Sequence, residues 1–178
     1  YSADGKVSTY MDNSGGANGI YFGTNGEMLV CQGGNRQVVS INDDMNVTVL
    51  AKAYRGKKFN SPNDLWQDPK GGIYFTDPRY GNRDNMEQDD EHVYYITPDG
   101  KDVIRVIDDM SRPNGIIGTP DGKRLYVADH GGNITVSYKI NSDGTLSDKE
   151  PFAAQGSDGV TIDSKGNIYL TSDKVNIY

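Results

Sequence analysis

The chain has 178 residues, of which 22 are Gly, 12 Tyr and 7 Pro, and it carries a formal net charge of -7 with a sequence pI near 4.7. That balance argues against nucleic acid or an anionic membrane surface as partner, since phosphate binding needs clustered Lys and Arg. A lone cysteine, Cys31, excludes an internal disulfide and a multi-thiolate zinc site, and no apolar run reaches the roughly 18 residues of a membrane span.

Asn-Gly, Asp-Gly and Gly-Gly pairs recur throughout, which predicts short strands joined by tight turns and an all-β fold. Residues 1–10, YSADGKVSTY, read as an outer hairpin. ANGIYFGTNGEMLVCQ from Ala17 follows with strand-turn-strand grammar, then RQVVSI and NDDMNVTVLA as outer strands. The same phrase returns as PNDLWQDPKGGIYFTD from Pro62, followed by the strand pair HVYYITPDGKDVIRVI. It returns again as PNGIIGTPDGKRLYVAD from Pro113, followed by NITVSYKI and NSDGTLSD, and finally as SDGVTIDSKGNIYLTS from Ser157 before the sequence stops at SDKVNIY.

Anchored on Asn18, Asn63, Asn114 and Asp158, the repeats are spaced by 45, 51 and 44 residues. A period of about 40 to 50 residues with four strands per repeat is the signature of a β-propeller blade, and a β-sandwich is the competing architecture. The expectation is one partial propeller domain over residues 1–178, about four blades, with the first and last incomplete. Open sheet edges would then need missing blades or self-association to cover them. The compartment stays open: cytoplasmic, or periplasmic or secreted if an upstream signal peptide has been removed.

The residue about 14 positions after each anchor should lie beside it across the hairpin, which gathers Gln32, Asp77, Asp129 and Ser172 with the anchors at one end of the blades. Innermost strands line the central channel, so Asn63, Asn114 and Asp158 should converge on its mouth. Amide and carboxylate oxygens without imidazole or thiolate make a hard-cation site best suited to calcium, although magnesium, manganese and zinc also occupy oxygen sites. The bland alternative is that Asn and Asp before Gly serve turns and caps. Cys31 is expected to be a small buried residue, and Tyr21, Phe22, Trp66, Tyr74, Phe75 and Tyr126 to pack between blades.

SPNDLWQDPKGGIYFTDPRYG from Ser61, SRPNGIIGTPDGKRLYVAD from Ser111 and GSDGVTIDSKGNIYLT from Gly156 resemble the senescence-marker-protein, gluconolactonase and luciferin-regenerating-enzyme family, most closely its bacterial gluconolactonases. The resemblance implies a six-bladed propeller, here in part, that hydrolyses a small lactone with a divalent metal, usually calcium. It implies Asn114 and Asp158 as metal ligands, Asp158 also as the catalytic base, and Asn63 as a contact to metal or substrate. The family's remaining ligand, a Glu in an early EGP-type motif, is absent from the sequence, and Ser61 stands where animal members carry an Arg. Asn18, Asp77, Arg79, Asp129 and His130 are the further candidates for substrate contact. Related paraoxonase-like or phosphotriesterase propellers, and a non-catalytic binding platform, are the alternative functions.

Overall fold

A computed structural model describes residues 4–178, and its strands form four successive antiparallel sheets. The first blade comprises β1 (Ala17–Phe22), β2 (Met28–Gln32), β3 (Gln37–Ile41) and β4 (Val47–Ala51). A short hairpin, β5 (Ala53–Tyr54) and β6 (Lys57–Lys58), leads to the second blade of β7 (Leu65–Gln67), β8 (Ile73–Asp77), β9 (His92–Ile96) and β10 (Val103–Ile107). The third is β11 (Pro113–Gly118), β12 (Arg124–Asp129), β13 (Ile134–Ile140) and β14 (Leu146–Ala153). Three strands, β15 (Val160–Ile162), β16 (Ile168–Thr171) and β17 (Val175–Ile177), make the fourth. Every strand pairs with its sequence neighbour, and no helix occurs among the described residues, so the architecture is the all-β propeller arrangement the repeat predicts. The outer hairpin expected over residues 1–10 is not formed: residues 4–10 carry no strand, and residues 1–3 lie outside the described residues.

The turns follow from the Asx chemistry of the repeated phrase. In DPKG, Asp68 Oδ1 accepts from the amides of Lys70 and Gly72, and in DSKG, Asp163 Oδ1 accepts from those of Lys165 and Asn167. Between blades lie the cores. Leu29, Cys31, Val38, Phe59, Leu65, Phe75 and Tyr94 fill the first interface. Trp66, Tyr74, Tyr95, Ile116, Leu125, Val127 and Tyr138 fill the second, and Val160, Ile168 and Leu170 with Ala128 and Ala153 fill the third. Two of the buried phenols are paired, Tyr74 donating to Gly144 O (2.8 Å) and Tyr95 to Asp68 Oδ2 (2.8 Å), whereas the hydroxyls of Tyr94 and Tyr138 have no hydrogen-bond partner among the described residues. Phe22 departs from the expected packing; it points outward and is 70% exposed.

The innermost strands touch directly. Gly19 N donates to Asn63 O (2.7 Å), Thr76 Oγ1 to Asn114 O (2.8 Å) and Ile116 N to Asp64 Oδ2 (3.1 Å). This approach explains the glycine after the first and third anchors. A Cβ on Gly19 would fall 2.6 Å from Asn63 O and Asp64 Cα, and one on Gly115 would fall 2.7 Å from Val160 Cγ2 and 2.9 Å from Val160 N. Only glycine lets neighbouring backbones come so close. Gly115→Ala should therefore push β11 and β15 apart and cost about 1–3 kcal/mol of stability, as overpacking does. Urea unfolding would check this, and an unchanged midpoint would contradict the close-approach reading.

Candidate active site

Converging inner strands bring the anchors to one end of the blades. Asn114, the second residue of β11, is 1% exposed, and its Nδ2 donates to Asp158 Oδ1 (2.8 Å) and to the Tyr80 hydroxyl (2.7 Å). Both amide hydrogens are thereby used, while Asn114 Oδ1 is buried and accepts no hydrogen bond among the described residues. Asp158, two residues before β15, is exposed. It borders a cavity of about 410 Å³ whose wall includes His130, Asn133, Gln155, Asp173 and Lys174.

Asn63 stands at the equivalent place before β7. Its N–H donates to Thr76 O (2.9 Å), and Thr76 Oγ1 reaches Asn114 O, so one threonine ties the two anchors' backbones together. The half-buried Asn63 side chain makes no hydrogen bond among the described residues, and the exposed side chain of Asn18, in the same slot of the first blade, makes none either. Asn114 and Asp158 are thus brought into direct contact, with Asn63 beside them but not bonded to either side chain.

Three of the expected substrate contacts have other surroundings. Asp77 is fully buried, and its two oxygens accept from the amides of Asn60 (2.8 Å) and Ser61 (2.7 Å). Asp129 repeats this one blade later, accepting from the amides of Ser111, Arg112 and Gly132. Both carboxylates cap the loop that enters their blade's first strand, which removes them from the mouth. Arg79 is a loop staple, donating to Asn60 O, Asn82 O and Asn85 Oδ1. His130 does lie on the cavity wall, exposed, with its ring edge-on to Tyr80 at 6.0 Å.

Tyr80, Asp64 and Lys174 join the site only in three dimensions. Tyr80 sits in the long β8–β9 connection, where no strand period marks it. Asp64 had a legible signal, because it replaces the glycine that follows Asn18, Asn114 and Asp158.

Residues 1–176 match the family model described as the SMP-30/Gluconolactonase/LRE-like region. The chain belongs to this family. It is similar to a gluconolactonase of Zymomonas mobilis, 31% identical over 206 residues that cover 97% of this chain and 57% of the relative. It is also similar to lactonase drp35 of Staphylococcus haemolyticus, 36% identical over 61% of this chain and 34% of the relative. Among solved structures, a gluconolactonase of Xanthomonas campestris superposes with a TM-score of 0.87 at 30% identity, covering 94% of this chain and 60% of that one. The chain therefore spans about three-fifths or less of the length of the gluconolactonase-family proteins it matches.

The donor set suits a hard divalent cation. Asn114 Oδ1 is an orphaned buried acceptor, Asp158 supplies a carboxylate, and Asn63 adds a second unbonded amide. Among the described residues no group of three or more His, Cys, Asp or Glu is placed to hold a metal, so a cation here would rest on amide oxygens, one carboxylate and water.

Burial dominates the electrostatics around this candidate site. It pushes Asp64 up to about 6 against the amides of Ile116 and Leu65, with the negative charge of Asp158 adding to the rise. Tyr80 is also pushed up, by burial foremost, and its phenol stays neutral at neutral pH. Asp77 is pushed up to about 7, again mainly by burial and against its two amide donors. Because the folded state holds this proton more tightly than the unfolded chain, Asp77 favours folding most below about pH 4, and that contribution is lost as pH rises to about 7. Asp77→Asn, an isostere of the neutral acid, should flatten the fall in melting temperature across that window; identical pH slopes in the two proteins would contradict it.

Proposed function

We propose that this chain forms part of a metal-dependent lactone hydrolase whose reacting groups are Asn114 and Asp158, acting on a sugar lactone of the gluconolactone type. The observation that carries the reading is the 2.8 Å contact between these side chains, from two adjacent inner strands, beside a cavity large enough for a six-carbon lactone. Family membership and the similarity to gluconolactonases support the same chemistry.

Asn114, Asp158 and Asn63 would hold a divalent cation, most suitably calcium, which when bound supplies Lewis-acid polarisation of the lactone carbonyl. Asp158 engages Asn114 through Oδ1, while Oδ2 has no hydrogen-bond partner among the described residues. Asp158 Oδ2 accepts a proton from water as the water oxygen bonds to the carbonyl carbon. The ring C–O bond then breaks, and the ring oxygen takes the proton held by Asp158, leaving a hydroxy acid and restoring the carboxylate. His130, Asn133 and Lys174 on the cavity wall are donors suited to the hydroxyl groups of such a substrate.

Two measurements test the proposal. Asp158→Asn and Asn114→Ala should each lower kcat/KM for gluconolactone by about 10²–10³-fold, the cost of removing one electrostatic group from a reacting centre. Chelation should abolish turnover, and added calcium should restore it. Full activity after exhaustive chelation, or in both variants, would overturn the assignment.

A further inference from the structure

We propose that Tyr80 is a positioning residue of this site, its hydroxyl setting the direction in which the Asn114 amide faces. The inference rests on the lactone-hydrolase reading for its kinetic consequence, but not for its structural content.

A tyrosine 45% exposed on a loop of residues 78–91 would ordinarily sample many positions; this one is held on every side. Its neighbour Arg79 clips the loop through three hydrogen bonds, and Arg83 donates back to Arg79 O (3.1 Å). Arg83 also pairs with Glu91, a carboxylate only 1% exposed. The second oxygen of Glu91 lies 3.5 Å from Arg112 Nε, and the Arg112 guanidinium sits 5.2 Å over the Tyr80 ring. The His130 ring packs edge-on from the adjoining loop. A buried acid thus pairs with the arginine that braces the loop and lies within ion-pair distance, without a hydrogen bond, of the arginine over the ring.

The rigidity is spent on one contact. The two hydrogens on Asn114 Nδ2 go to Tyr80 and Asp158, and that pairing determines where the amide oxygen points. An asparagine amide has nearly the same shape in its two flipped orientations, so its direction is set by its partners alone. With Asp158 as the single acceptor, one hydrogen is left without a partner and the preference weakens.

Tyr80→Phe removes the hydroxyl while keeping the ring against Arg112 and His130. In the protein assayed with gluconolactone, we expect kcat to fall about tenfold with KM within about twofold, since one hydrogen bond that orients a reacting group is lost. In NMR of the protein without substrate, one of the two Asn114 side-chain N–H signals should exchange with water faster in the variant. Unchanged kcat together with unchanged exchange in a folded Tyr80→Phe protein would overturn the proposal and leave the lactonase reading intact. If the unaltered protein hydrolyses no lactone, that reading falls, while the exchange measurement still decides the role of Tyr80. Should Tyr80→Phe unfold, Arg112→Lys, which loosens the ring but keeps the hydroxyl, must show the same change in exchange to a smaller degree; no change there overturns the proposal as well.

Discussion

Close approach of the innermost strands is the constraint on which the rest of the molecule depends. In the first and third blades the anchor is followed by a glycine with almost no lateral room, and at Gly19 and Gly115 the neighbouring backbone crowds the place a Cβ would take. Where the slot holds Asp64 instead, its carboxylate reaches the Ile116 amide and makes the contact between blades itself. The cost of this crowding is backbone freedom surrendered at glycine, and the return is that polar side chains from separate blades meet.

The same economy explains why the carboxylate at the end of the second strand is not a site residue. Asp77 and Asp129 hold equivalent positions, and each spends its oxygens on the amides of the loop that delivers its own blade's anchor. A carboxylate buried with backbone donors is an organiser, costly to remove and out of a substrate's reach. Asn114 is the contrasting case: equally buried, it retains an oxygen that no described residue satisfies, which is the mark of a group with a role beyond packing.

Much of this was legible in the sequence because it is periodic. The strands, their order within each blade and the turn chemistry of DPKG and DSKG follow from a phrase that returns four times, and the Asn114–Asp158 meeting follows from their shared slot in it. What was not legible lies outside the repeat. Tyr80 comes from a long connection with no period, and its place over Asn114 depends on Arg112 and Glu91, which lie far apart along the chain. Asp77 and Asp129 were read correctly as neighbours of the anchors, but spacing along a strand does not reveal whether a carboxylate faces the channel or the preceding loop.

The account claims that Asn114 and Asp158 act as one unit because the blades press them together. A double-mutant cycle on kcat/KM for gluconolactone, using Asn114→Ala, Asp158→Asn and the pair, measures that most directly. Cooperation predicts a double variant little worse than the poorer single variant. Losses that multiply, as for residues in separate networks, would contradict it.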